Sequence, residues 1–192
     1  MNKQYWKNFY NKNPELSKNS SFSEFVLKYL SPQDNLLDLG CGNGKDTYFF
    51  LKNGIKAIGI DNNEALSGEN FIVGDVLNSL QKCENYYLRF FAHAVEEEYL
   101  DSLIEKIHNI SETGSRIFIE TRSTKGVTTD DRLLLNFKSG IGEEHHRMLY
   151  SCSYLEAKMK EKFKVFYLEE SYGLSPFAGK DPCLIRICCI KE

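Results

Sequence analysis

No apolar run in this chain approaches the roughly 20 residues that a membrane-spanning helix requires, so no membrane insertion is expected. The N-terminus, Met1-Asn2-Lys3-Gln4-Tyr5-Trp6, lacks the apolar core of a secretory signal, which predicts a cytoplasmic protein. A long Lys/Arg run is also missing and the net charge is −3, so neither a nucleic-acid partner nor an anionic membrane surface is expected. Six cysteines are present, Cys41, Cys83, Cys152, Cys183, Cys188 and Cys189, yet none stands in a C-x-x-C pair. They read as small buried hydrophobes rather than zinc ligands, with Cys188 and Cys189 on opposite faces of one strand. No metal is expected at the adjacent His145 and His146 either, because neighbouring histidines chelate one ion poorly. Repeats, linkers and low-complexity tracts are absent, and 192 residues make one domain by length.

Against these absences stands one stretch, Leu36-Leu37-Asp38-Leu39-Gly40-Cys41-Gly42-Asn43-Gly44. An apolar run reaches an acidic residue, a glycine-rich turn follows, and Asp46 to Leu51 reads as the start of a helix. A strand, a tight turn and a helix N-terminus together make a cradle in which unpaired backbone N–H groups converge on a small polar ligand. A dinucleotide fingerprint, G-x-G-x-x-G, requires a third glycine at position 45, where this chain has Lys45. The pattern here is G-x-G-x-G with an acidic residue two positions earlier.

Alternation of strands and helices follows. Lys56–Ile60, 70–74, 85–91 and 114–121 read as strands, and Glu96 to His108 reads as a helix with Tyr99, Leu100, Leu103, Ile104 and Ile107 on its apolar stripe. Such alternation predicts a parallel sheet with both faces covered. Ahead of it, residues 2–10 and a stretch capped near Ser21-Phe22-Ser23-Glu24 read as two helices packing on the sheet or closing over the ligand. Residues 122–150 are polar and read as an irregular insert on the substrate side. Two late strands around 163–169 and 183–190, with no helix between them, predict an antiparallel hairpin at a sheet edge.

Acidic residues fall at three successive strand ends, Asp38, Asp61 and Asp75, where an open α/β sheet places its ligand. Each alone would serve as a helix cap. Together, behind G-x-G-x-G, they resemble the class I S-adenosylmethionine-dependent methyltransferases. That resemblance implies a three-layer, Rossmann-like α/β fold with a seven-stranded, mostly parallel sheet whose last strand is antiparallel. It implies S-adenosyl-L-methionine as cofactor and S-adenosylhomocysteine as product. Asp61 would bind the ribose hydroxyls, and Asp75 with the Val76 backbone the adenine edge. Gly40, Cys41 and Gly42 would lie along the methionine portion, with Asp38 on its ammonium. Gly44, Asn62 and Arg89 complete the expected set, with Trp6 and Tyr10 contributed by the N-terminal helices as a lid. The helix expected to connect Asp61 to Asn70 is unusually short for this family.

The fourth strand end lacks the [DN]-P-P-[YFW] of enzymes that methylate amino groups of bases or glutamine. Instead Arg89-Phe90-x-x-His93-Ala94, with Gly173-Leu174-Ser175-Pro176-Phe177 and Asp181-Pro182 in the tail, resembles a small branch associated with capsule and surface-polysaccharide biosynthesis. The resemblance implies O-methylation of a small-molecule or glycan acceptor. A neutral imidazole at His93 suits removal of an acceptor proton, and packing or capping is the plain alternative. Arg89, Arg122, His145 and Arg147 are the candidate grip on an anionic acceptor, against an internal ion pair of Arg89 with Glu120 or one of Glu96–Glu98. An RNA or protein methyltransferase and a catalytically silent cofactor-binding subunit are the competing readings. The sequence does not specify an oligomeric state.

Overall fold

A computed structural model of the protein describes residues 18–138, 144–176 and 179–192; Trp6 and Tyr10, expected in the lid, lie outside the described residues. In chain order the strands are β1 (Asn35–Leu39), β2 (Lys56–Asp61), β3 (Phe71–Val73), β4 (Asn85–Arg89), β5 (Arg116–Arg122), β6 (Arg132–Lys138), β7 (Glu144–Tyr150), β8 (Lys164–Ser171) and β9 (Leu184–Ile190). The helices are α1 (Ser21–Leu27), α2 (Lys45–Lys52), α3 (Val76–Ser79), α4 (Glu97–Ile110) and α5 (Cys152–Lys160). A short 3-10 turn, Ala92–Ala94, follows β4.

Seven strands form one sheet in the order β3-β2-β1-β4-β5-β9-β8, and β6 and β7 form a separate pair. β1 pairs in parallel with β2 and β4, β2 with β3, and β4 with β5, while β9 runs antiparallel between β5 and β8. The expected late hairpin is therefore β8–β9, with β8 at the edge. Alternating side chains divide the core into two layers. Leu37, Leu39, Tyr86, Leu88, Ile117 and Ile119 face α4 and α5. Leu36, Tyr87 and Phe118 face α1 and α2. Cys188 and Cys189 sit in opposite layers, as adjacent strand residues must, and all six cysteines are free thiols.

Two stretches differ from the sequence expectation. The link from β2 to β3 holds no helix, only turns anchored by Asn63, whose side-chain oxygen accepts from Ala65 N. Nine residues are too few for a helix and two loops. The 122–150 insert is not irregular: β6 and β7 pair antiparallel from Arg132↔Tyr150 to Lys138↔Glu144. Its polarity reflects strands that lie outside the main sheet, so alternation with a buried face was weak. β7 packs on the 3-10 turn and on β5, which places the hairpin over the carboxyl ends of β4 and β5. Among the described residues no helix is long and apolar enough to cross a membrane.

Candidate functional site

The glycine turn sits where β1 hands over to α2, beside the carboxyl end of β2. Gly40 N and Cys41 N both donate to Ile60 O, at 2.8 and 3.2 Å. Gly40 has φ +76, and a Cβ there would come within 2.2 Å of the Phe91 ring, so glycine is required on two counts. Gly44 precedes α2 as its N-cap in the left-handed region, and the first helical N–H, that of Lys45, donates to Asn43 Oδ1 at 3.4 Å. In β2, Gly59 performs a service that the motif did not predict: a Cβ there would meet Cys41 Sγ at 2.7 Å and Thr47 Oγ1 at 2.8 Å. Burial pushes the Cys41 thiol well up, so it behaves as a packed, unreactive group.

Asp61 ends β2 with its carboxylate against the glycine turn. Gly42 N donates to one oxygen and Asn63 N to the other, each at 2.9 Å, and Asn63 Nδ2 returns a bond to Gly42 O at 2.9 Å. Burial raises the Asp61 carboxyl, and these N–H donors oppose the rise. Asn62 stands beside it, half-buried. Asp38, one strand inward, is 2% exposed and accepts from Thr47 Oγ1 at 2.7 Å. Asp75 caps α3, accepting from Asn78 N at 3.0 Å and from Tyr99 Oη at 3.0 Å, with Val76 buried behind it. The capping role is thus filled at Asp75 and not at Asp38 or Asp61.

Sequence reasoning missed the contacts that anchor the start of α2. Asp46, in the first turn of α2, accepts from Ser20 N and Ser20 Oγ, both at 2.7 Å, and from Tyr87 Oη at 2.8 Å. Ser20, not Ser21, is the N-cap of α1. In the sequence Lys45 stands only as the residue that excludes a third glycine. It is half-buried, and burial, with Arg89 second, pulls its ammonium below the ordinary lysine range. No hydrogen bond or ion pair holds its side chain among the described residues. No sequence pattern marks such a lysine; its burial next to Arg89 is a tertiary fact.

At the ends of β4 and β5, Arg89 donates through Nε to Glu120 at 3.2 Å and through Nη2 to Ser175 Oγ at 3.1 Å. Of the internal partners open to Arg89, Glu120 is the one used. Glu120 is fully buried and also accepts from Arg186 Nε at 2.8 Å, while Arg186 Nη2 reaches Ser21 Oγ at 2.9 Å and Leu174 O at 3.3 Å. Phe90 has φ +58 and lies 4.2 Å beneath the Arg89 guanidinium and 5.2 Å from the His93 ring. An aromatic residue in the left-handed region is strained and needs its neighbours to hold it there. His93 is 2% exposed, with Nδ1 3.4 Å from Thr121 Oγ1. Arg122 closes β5, next to the Ser123↔Tyr150 bridge that joins β5 to the hairpin. On β7, His145 pairs in register with Phe137 and Arg147 with Leu135. The fold thus brings Arg89, His93 and Arg122 to one sheet end and sets the strand of His145 and Arg147 beside it. A cleft of about 450 Å³ near Lys56, Lys82 and Cys83 lies at the opposite, amino end of the strands and contains none of these residues.

The family model described as tellurite resistance protein TehB matches residues 2–99, which include the glycine turn, the three aspartates and His93. No curated protein matches the chain. Among solved structures, it is similar to a SAM-dependent methyltransferase from Methanosarcina mazei, at 17% identity over 87% of this chain and 96% of that one, with a TM-score of 0.70. It is also similar to the 1,6-didemethyltoxoflavin-N1-methyltransferase of Burkholderia thailandensis, at 12% identity over 98% and 85% of the two chains, TM-score 0.74. A third similar structure is the glycopeptide N-methyltransferase MtfA with S-adenosylhomocysteine, at 12% identity over 91% and 90%, TM-score 0.67. At these identities the likeness is one of fold, and the fold is that of the class I methyltransferases.

Proposed function

This chain belongs to the family of the tellurite resistance protein TehB, and on that premise we propose that it is an S-adenosylmethionine-dependent methyltransferase acting on a small-molecule acceptor. The observation that carries the reading is the Asp61 carboxylate at the end of β2, held by Gly42 N at 2.9 Å across the mouth of the glycine turn. A ribose bridging that carboxylate would run its adenine toward Asp75 and Val76 and its methionine along Gly40, Cys41 and Gly42 toward the start of α2. Gly44 and Asn62 line the same path, and Asp38 lies beneath the methionine end. The cofactor supplies an electrophilic methyl group; the chain supplies alignment, exclusion of water and a proton acceptor.

The acceptor is an anionic sugar, phosphate or phosphoramidate-type group of a surface glycan, methylated on oxygen. Support comes from Arg89, half-buried at the β4 end, with Arg122 on the next strand and His145 and Arg147 on the hairpin beside it. His93 removes the acceptor proton, a role consistent with its place in the 3-10 turn that follows β4 and its Thr121 neighbour. Nitrogen is the second acceptor worth testing, because two similar structures carry N-methyltransferase names. Calorimetric titration with S-adenosylhomocysteine, followed by an acceptor screen with labelled cofactor, tests the proposal. Saturable binding and label transfer to an anionic glycan precursor are expected. Tighter binding of a nicotinamide dinucleotide would overturn the cofactor assignment.

A further inference from the structure

Among the carboxylates at this end of the sheet, Asp38 is the least compensated. Asp46 accepts three hydrogen bonds, Asp61 two from backbone N–H groups, and Glu120 lies between two arginines. Asp38, at 2% exposure, has a single hydroxyl donor, Thr47, among the described residues. An ionised carboxylate held by one neutral donor in such burial is costly, and the group avoids the cost by staying protonated. The charged and titratable groups that face it come from every neighbouring element. They are Asp46 on α2, Asp61 on β2, Arg89 and Tyr87 on β4, and Cys41 in the glycine turn. Two further acids and one arginine leave the balance against a second negative charge.

We propose that Asp38 is a neutral carboxylic acid in the free protein and ionises when a cationic ligand enters the cradle, so that the cofactor binds with release of a proton. The inference rests on the cofactor reading above and adds a charge-sensing role to it. In the step, the O–H bond of the acid breaks, the electron pair stays on the Asp38 oxygen, and the proton passes to solvent. The new carboxylate then faces the ligand's ammonium. Burial, with Asp46 second, holds the Asp38 carboxyl up at about 8 in the free site. Affinity for an ammonium-bearing ligand therefore climbs by up to about tenfold per pH unit below that value and levels off above it.

The test is calorimetry on the full chain at pH 7 in buffers of different ionisation heat, with two probes. S-adenosylhomocysteine carries the ammonium and should bind with release of up to one proton per site. Methylthioadenosine, which lacks the amino-acid part, should release none, and Asp38→Asn should abolish the release with S-adenosylhomocysteine. Tight S-adenosylhomocysteine binding without proton release, or release retained in Asp38→Asn, overturns the inference. Failure of the wild type to bind either nucleoside removes the cofactor reading instead, and thermal melting then decides the state of Asp38. A carboxyl raised in the folded state stabilises it below the unfolded value and loses that stabilisation as pH rises through the folded one. The melting temperature of Asp38→Asn relative to wild type should accordingly rise between about pH 4 and 8 and stay flat above. A constant difference across that range overturns the inference whatever the ligand.

Discussion

Asp61 has both carboxylate oxygens on backbone N–H donors, so it is fixed before any ligand arrives. Asp61→Ala should weaken S-adenosylhomocysteine binding by about 1.5–3 kcal/mol, the scale of hydrogen bonds to a charged group, as read by calorimetry. An unchanged affinity in a folded variant would withdraw the ribose assignment. His93 is a different kind of residue, buried with Nδ1 3.4 Å from Thr121 Oγ1. With a hydroxyl acceptor, His93→Ala should cost about 10²–10⁴-fold in single-turnover rate while cofactor affinity holds. Wild-type turnover in that variant would return His93 to packing. Asp38, Gly40 and Asp61 were legible in the sequence because each stands at a strand end next to a turn signal. Lys45 and Asp46 were not, since their significance lies in partners that the linear order does not name, and Glu120 was legible only as one of several acids open to Arg89.

The β6–β7 hairpin is held to the body of the protein at its base. Glu97, the first residue of α4, accepts from Arg132 on β6 and from Tyr154 Oη on α5, and Lys158 Nζ lies 3.2 Å away. Ser151 N donates to Asp131 O at 2.7 Å, and Thr124 N to Tyr150 O at 2.9 Å, closing the insert at both ends. Hydrogen bonds from Tyr154, Arg132 and Lys158 together outweigh burial and hold the Glu97 carboxyl below its ordinary range. A depressed carboxyl contributes stability that is present above its unfolded value and lost as pH falls through its folded one. Glu97→Gln should therefore raise hydrogen exchange in residues 132–138 and 146–150 at neutral pH, with the difference from wild type shrinking as pH falls below about 4. Equal exchange at neutral pH would show that main-chain pairing alone holds the hairpin. The sequence registered the insert only as polar, because a strand pair outside the main sheet has no continuous buried face to impose alternation.

Across the molecule, three strands contribute one row of charge. Register sets Arg89 beside Glu120 and Glu120 opposite Arg186, and the two arginines extend the row to Ser175, Ser21 and Leu174. This row fastens α1 and the β8–β9 connection to the sheet end that carries the candidate site. Glu120→Ala leaves two arginines without their shared counter-charge in a buried setting, and should destabilise the fold by about 3–5 kcal/mol in denaturant titration. Glu120→Gln keeps the shape and one acceptor and should cost less. Equal stability of wild type and Glu120→Ala would show that the row contributes no net stability.

The alternation of apolar runs with helical stripes determined the parallel sheet, the two late strands and the strand-end aspartates without any coordinates. These follow from local periodicity and from turn residues next to one another in the chain, and such signals survive in one dimension. The sequence also carried the spacing that excluded a dinucleotide turn. Strand order and register were decided only by the tertiary structure. They bring together Ser20 with Asp46 and Arg89 with Glu120, 26 and 31 residues apart, and Arg186 with Glu120, 66 residues apart. Burial is likewise a property of the assembled layers. It separates Asp38, a carboxyl with one neutral donor, from Asp61, a carboxylate held by backbone, although both look alike as acids at the end of a strand.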